Sequence, residues 1–386
     1  MMAMKEGREE YPALTGIRAC GAIVVFYDHF PFQEGVHPII NVMAFFFVLS
    51  GFLITRLYYD KARFDRRWIS SYFIKRFARI YPVYFLLVTI VFLLNPAFRI
   101  FLQHPSLRPD LVIRNYTLTH ALFRNMAEVA IYPSWSLTTE ETFYLLAPIF
   151  ILLIRRIDFF VAFLFGALLL GGALFVSILP NQHMNWLFLH TPLFVWEFTF
   201  FGHFLEFFAG IGLAVVIMRL ERKVPLAGDA SAEGALVGRS RATRWTMLGS
   251  MGILVLIGVM LLIYLQKPLN RVAIVVVNNV LIPLPIALLY FGLIRENTRA
   301  ARWLSGKLFR VLGRSSYSFY LLHTIIIDYF SAPHLATFWG GHRVVAVLLT
   351  FVGTWLLSIL LFYWYEEPLN LWIRRTFIRK RGIGIA

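Results

Sequence analysis

Apolar runs of about twenty residues recur along the whole chain, each long enough to cross a bilayer as an α-helix. A backbone inside hydrocarbon must satisfy its own hydrogen bonds, which only helices and closed barrels achieve. The runs are continuous rather than alternating, which excludes an outer-membrane barrel. Hydrophobic residues make up 59% of the 386, with a mean hydropathy of +0.68, more apolar surface than a soluble domain can hide. The expected fold is all-α: a polytopic transmembrane helical bundle of about ten spans, one domain over residues 1–386. The spans fall at roughly 12–30, 38–57, 81–98, 134–154, 159–179, 201–218, 245–265, 272–294, 313–331 and 343–364.

Charge sets the orientation. With the N-terminus in the cytoplasm, segments 1–11, 56–80, 155–158, 219–244, 295–314 and 365–386 face inward. They carry 29 of the 37 Lys and Arg residues, the opposite loops carry 7, and Arg18 is the one left. That asymmetry predicts an N-in, C-in topology. The net charge of +16 therefore suits topology and the anionic headgroups of membrane lipids, not nucleic acid. The single cysteine, Cys20, excludes an internal disulfide and any multi-cysteine metal site, so no metal is expected. Cys20 itself is expected to pack as a small apolar residue. The first ten residues are polar, and the first helix is expected to direct insertion without a cleavable signal.

Three connecting segments stand out. The linker 219–244 has GDASAEGALVGRS at its centre, small and polar. The segment 99–133 is mixed in character and is expected to include short helices at the outer face. In DRRWISSYFIKRFARI (65–80), Trp68, Tyr72, Phe73 and Phe77 alternate with Arg66, Arg67, Lys75, Arg76 and Arg79. This pattern predicts an amphipathic helix on the cytoplasmic surface that runs into the third span.

Several polar groups lie where lipid would not tolerate them. Arg18 and His29 are eleven residues apart in the first span, about three helical turns, so both project from one face about 16 Å apart along the axis. Such a stripe must face protein or water. In FFFVLSGFLI (45–54), Ser50 and Gly51 break a row of large residues, which admits either a neighbouring helix or a ligand. Arg76 and Arg79, three apart with Lys75 beside them, can fork onto phosphate oxygens or onto lipid headgroups. PSWSLTTEETFYLLAP (133–148) opens the fourth span, where Glu140 shares a face with Ser136 and Tyr144. That span enters from the side on which the first ends, so Glu140 is expected at the depth of His29, fixing its tautomer and raising its basicity. Glu206, His323 and Asp328 are further intramembrane polar groups, and together they favour a hydrated chamber. No HExxH, GxSxG or Walker A motif occurs.

In this order the stretches resemble the acyltransferase-3 family of integral-membrane acyltransferases. The most specific element is Arg-x10-His, here Arg18 to His29. It is supported by FFFVLSGFLI, the Arg-x-x-Arg of KRFARIYPVYF, the WSLTTEETFYLLAP block, LGRSSYSFYLLH and the terminal WYEEPL. The resemblance implies transfer of an acyl group, usually acetyl from acetyl-CoA, onto a hydroxyl of a sugar or other glycan component. It implies that His29 is essential, that Arg18 supports the same site, and that Arg76 and Arg79 lie near the coenzyme A phosphates. Members often carry an arginine three residues ahead of the glutamate in the EFFAGIG block; this chain has His203 ahead of Glu206. It is also expected to do without the extracellular hydrolase-like domain that some members add.

The expectation is therefore an O-acyltransferase of a bacterial inner membrane. Its donor is cytoplasmic acyl-CoA and its acceptor a cell-envelope glycan or lipid-linked sugar. His29 is the candidate base, with Arg18 and Glu140 as its catalytic partners. Lys75, Arg76, Arg79, Ser50 and Gly51 are candidate contacts to the coenzyme, and Ser136, Tyr144, Glu206 and His323 are candidate cavity groups. Buried His, Glu and Arg in about ten spans also suit the alternative, a proton-coupled secondary transporter or flippase.

Overall fold

The computed structural model describes residues 11–29, 41–94, 109–123, 130–179, 189, 191–222, 243–266, 270–330 and 342–379. The polar first ten residues, much of the 99–133 segment, the centre of the 219–244 linker and the outer edges of the expected spans at 30, 38–40, 95–98 and 331 lie outside them.

Helices occupy all ten expected stretches. They are α1 (Pro12–Asp28), α2 (Met43–Tyr58), α3 (Arg66–Leu94), α5 (Trp135–Arg156), α6 (Phe159–Ile178), α8 (Phe200–Arg222), α9 (Arg244–Leu265), α10 (Arg271–Arg295), α12 (Lys307–Phe330) and α13 (Arg343–Leu361). Shorter helices join or extend them: α4 (Pro109–Tyr116), α7 (Pro192–Phe198), α11 (Arg299–Leu304) and α14 (Glu367–Arg374). Among the described residues, seven helical runs are long and apolar enough to cross a membrane. Helices α1 and α2, at 17 and 16 residues, are shorter, and α12 carries serines, tyrosines and a histidine along its length. The protein is an all-α, multi-pass membrane bundle.

The amphipathic segment and the third span form one helix of 29 residues, about 43 Å long, that runs through Pro82. Proline cannot donate to the helix ladder. The Pro82 carbonyl accepts a bond from Tyr365 OH at 3.3 Å. The last long helix continues past the expected boundary at 364. A π-turn at Phe362–Glu366 leads into α14, so WYEEPL lies inside a helical run.

Close backbone approach organises the centre. Helix α2 packs most extensively on α8. A Cβ built on Gly51 would stand 2.1 Å from the Phe207 carbonyl oxygen, and one on Gly210 2.0 Å from that of Val48. Glycines on both helices thus let the two backbones touch, as small residues do where membrane helices meet. Gly313 plays the same part between α12 and α1, against the Thr15 carbonyl. Helices α6 and α9 stand at the rim with mostly exposed apolar side chains.

Beside the α2–α8 contact, His203 and Glu206 are both fully buried. His203 Nδ1 meets the Glu206 carboxylate at 3.0 Å, and Nε2 meets the Glu197 carbonyl at 3.1 Å. The Glu197 carbonyl only accepts, so Nε2 donates to it, and the ring is stacked on Trp135. His203 thus meets Glu206 at the position where the sequence resemblance leads one to expect arginine.

Replacing Gly51 with Ala is expected to lower stability by about 1–3 kcal/mol or more, because the methyl meets backbone that cannot yield. Gly353 has nothing within 4 Å of its Cβ position, so Gly353→Ala is expected to be neutral or to gain up to about 1 kcal/mol. Thermal unfolding of the two variants in detergent checks the contrast; equal midpoints would contradict it.

Candidate active site

Call the end of the bundle where α1 begins the near end, and the end where it stops at His29 the far end. A cavity of about 1260 Å³ opens among α1, the end of α2, the start of α3 and α14 at the near end. Helix α3 supplies its wall from one face, with Trp68, Ser71, Lys75 and Arg79 spaced three or four apart. Ten cations line it: Arg18, Arg56, Lys61, Arg63, Arg67, Lys75, Arg76, Arg79, Arg155 and Arg374. Among the described residues, only two that line it are acidic. Asp60 is bonded to Arg222, and Asp65 Oδ1 accepts from the Trp68 amide at 2.7 Å. A smaller cavity of about 240 Å³ shares Thr15, Arg18, Arg79, Asn370 and Arg374 with it.

The cations differ in how far they are already satisfied. Arg79 Nη1 lies 2.5 Å from the Glu366 carboxylate, which is 1% exposed and also accepts from Ser318 Oγ at 2.5 Å. Arg56 bonds Tyr11 OH at 2.8 Å and Glu221 at 3.1 Å. Arg76 is held by aromatic faces instead, 5.6 Å from the Tyr58 ring and 5.5 Å from that of Tyr144. Its Nη2 donates to Tyr58 OH at 3.3 Å, and its buried Nε has no partner among the described residues. Arg18 and Lys75 make no hydrogen bond or ion pair among the described residues, yet both face the cavity. The arrangement is a preorganised excess of positive charge, suited to a polyanion.

Above this cavity, Ser50 Oγ and Tyr144 OH both donate to Glu140 Oε1. Tyr144 meets Glu140 because the two share a helix face, as the i, i+4 spacing requires. Glu141 projects elsewhere and has a buried, unpartnered Oε1 among the described residues. One turn further toward the far end, Ser136 Oγ lies 2.6 Å from Tyr320 OH, which donates to the Pro133 carbonyl at 2.7 Å.

At the far end, His29 Nδ1 lies 2.8 Å from the Val25 carbonyl and 3.4 Å from His323 Nε2. His323 Nδ1 lies 2.6 Å from the Tyr320 carbonyl. A carbonyl only accepts, so Nδ1 carries a proton on both rings, and His29 Nε2 makes no hydrogen bond among the described residues. The Tyr132 ring stands 5.3 Å from that of His29, and the Asp328 carboxylate is within electrostatic reach. The turn carrying Tyr132 and Pro133 is buttressed by a buried bond of 2.9 Å between Ser134 Oγ and His120 Nε2. Burial pushes the His120 imidazole down to about 4, so it is neutral at ordinary pH.

Arg18, Lys75, Arg76 and Arg79 thus share one cavity; Ser50, Glu140 and Tyr144 share one bonded group; His29 and His323 share another. Two expectations are corrected. Glu140 does not pair with His29. It sits one turn below Ser136, engaged by Ser50 and Tyr144, whereas His29 is engaged by His323 and Val25. Gly51 does not line the cavity, because its Cα is pressed on the Phe207 backbone. Glu206 lies apart, with His203 and Asn279. Sequence reasoning passed over Tyr58, Tyr320, Arg374 and Glu366. Of these, only the acidic pair of WYEEPL gave a signal, as carboxylates ending an apolar run.

The fold is that of a multi-pass helical membrane protein with a cation-lined cavity at one end and a pair of histidines at the other. Residues 11–363 match the family described as an acyltransferase domain, and the chain belongs to this acyltransferase-3 family. It is 29% identical over 163 residues to the peptidoglycan O-acetyltransferase OatA of Listeria monocytogenes, covering 39% of this chain and 25% of that protein. It is 30% identical over 165 residues to the acyltransferase MdmB of Streptomyces mycarofaciens, covering 38% of this chain and 40% of that protein. The matched stretches thus span well under half of each relative. No solved structure matches the chain.

Glu366→Gln keeps the shape but removes the charge that neutralises Arg79, and its amide nitrogen can no longer accept from Ser318. It is expected to cost about 1–3 kcal/mol of stability and to tighten pyrophosphate binding in the cavity. Thermal unfolding and titration calorimetry check both; an unchanged midpoint with weaker pyrophosphate binding would contradict this electrostatic picture.

Proposed function

We propose that the chain is a membrane-bound O-acyltransferase of a bacterial inner membrane. It moves an acyl group, in the first instance acetyl, from cytoplasmic acyl-CoA to a hydroxyl of a cell-envelope or exported glycan. The observation that carries this reading is the cationic cavity at one end of α1 with His29 at the other, its Nε2 without a hydrogen bond among the described residues. The excess of Lys and Arg in the loops on that side supports a cytoplasmic near end. Coenzyme A brings phosphates, an adenine and a long thioester arm. Lys75, Arg76 and Arg18, which form no ion pair among the described residues, offer their cationic groups to the phosphates. Between Arg18 and His29 stand the hydroxyls of Ser50, Tyr144 and Tyr320, which could meet the thioester arm.

At the far end His29 Nε2 takes the proton of the acceptor hydroxyl. The hydroxyl oxygen bonds to the acyl carbon, the carbon–sulfur bond breaks, and the proton passes from His29 to the departing sulfur. The Tyr132 ring beside His29 suits a sugar face. The two relatives' names, a peptidoglycan O-acetyltransferase and an acyltransferase, support the reaction class.

Arg76→Ala is expected to weaken coenzyme A binding about tenfold or more, since a charge-assisted bond to phosphate contributes about 1.5–3 kcal/mol. Arg79→Ala is expected to weaken it less and to lower thermal stability more, because Arg79 is committed to Glu366. Calorimetry with coenzyme A in nanodiscs ranks the two, and a reversed ranking would mean that Arg79, not Arg76, meets the phosphate.

His29→Ala is expected to lower thiol release from acetyl-CoA in acceptor-containing membrane vesicles by about 100-fold or more, the usual worth of a general base. Turnover retained at equal membrane abundance would rule out His29 as the base.

A further inference from the structure

We infer that His323 is a positioning residue that holds His29 in the tautomer the reaction needs; this rests on the reading of His29 as the base. An imidazole can carry its single proton on either nitrogen, and only the Nδ1–H form of His29 leaves Nε2 free to take a proton. Two acceptors face Nδ1. The nearer, the Val25 carbonyl at 2.8 Å, is local and shared, because it also receives the His29 backbone N–H at 3.3 Å in the last turn of α1. The other, His323 Nε2 at 3.4 Å, comes from a different helix.

His323 can serve as that acceptor because its own proton is placed elsewhere. Its Nδ1 lies 2.6 Å from the Tyr320 carbonyl, so Nε2 carries the lone pair and points toward His29. The ring is fully buried and parallel to Phe319, at 6.1 Å and 5° between planes, which fixes its orientation. Helices α1 and α12 are pinned beside each other where Gly313 meets the Thr15 carbonyl, so the register of the two rings is set by backbone contact. When His29 takes the acceptor's proton, the imidazolium donates from Nδ1 to both acceptors, and the charge is met without any rearrangement. Around the pair, α12 contributes Tyr320 and Asp328, and the turn before α5 contributes Tyr132. Phe351 and Trp355 of α13, packed against Phe319, are apolar. Helix α12 thus completes the base that α1 begins.

Two substitutions separate positioning from packing. In His323→Gln the side-chain amide oxygen reaches about where Nε2 stands and still accepts from His29. In His323→Leu the volume is kept and the acceptor is lost. The test uses full-length protein with nitrogen-15-labelled histidine in detergent micelles, with the His29 resonances assigned by their loss in His29→Ala. Turnover is followed as thiol release from acetyl-CoA in acceptor-containing vesicles. The expected result is His29 protonated at Nδ1 in the parent and in His323→Gln, and a shift toward the Nε2–H form in His323→Leu. Turnover number should fall about tenfold or more in His323→Leu, with the KM for acetyl-CoA unchanged, and should be largely restored in His323→Gln. Parent-like turnover and tautomer in His323→Leu would overturn the inference, as would equal damage in both variants. If instead His29→Ala keeps its turnover, the base assignment falls, while the tautomer measurement still reports on the histidine pair by itself.

Discussion

A guanidinium and an imidazole carried on one helix inside a bilayer have to be answered by other helices, and the bundle is built around that requirement. At the level of Arg18 the neighbours are Arg76 and Arg79 of α3, with Glu366 balancing Arg79 from the helical run after α13. One level up, Glu140 of α5 is engaged by Ser50 of α2 and its own Tyr144. Next come Ser136 and Tyr320, joining α5 to α12, and then His323 and His29, joining α12 to α1. The polar groups form a column through an apolar bundle, and each level is closed by partners from at least two helices. Packing makes this possible, because the glycine contacts of α2 with α8 and of α1 with α12 bring backbones close enough for short polar side chains to meet.

The column is not uniform in charge. Cations dominate the near-end cavity, the Glu140 carboxylate with two hydroxyl donors sits in the middle, and the imidazoles of His29 and His323 close the far end. That gradient separates two tasks. Strong, fixed positive charge suits binding of a phosphate-bearing donor. A neutral, hydrogen-bonded imidazole suits proton transfer with a hydroxyl acceptor. Arg76 shows how the cavity keeps a cation ready for a ligand: two tyrosine faces hold the guanidinium where a carboxylate would have consumed its charge.

Much of this was legible in the sequence. The all-α bundle and all ten helical stretches follow from the period and length of the apolar runs, and the cavity cations from Arg76 and Arg79 on one face of an amphipathic segment. The pairing of Glu140 with Tyr144 follows from i, i+4 spacing, which local geometry fixes. Its separation from His29 was not legible, because the relative depth of two helices depends on how they slide against each other, and that is set by contacts such as Ser136 with Tyr320. The ambiguity of Gly51 was resolved by packing alone, since nothing in FFFVLSGFLI distinguishes a helix partner from a ligand. Glu366 and His323 were visible as isolated polar residues, but their partners, Arg79 and His29, lie 287 and 294 residues away in sequence.

The central claim is that donor and acceptor use opposite ends of one polar column. It is tested most directly by sidedness. Sealed inside-out and right-side-out vesicles carrying the protein and envelope glycan would be given acetyl-CoA with a radiolabelled acetyl group, on the outer surface only. The proposed orientation predicts labelled glycan only in the inside-out vesicles, with the label inside the lumen and protected from a membrane-impermeant esterase. Label appearing on the same face as the added acetyl-CoA would contradict it.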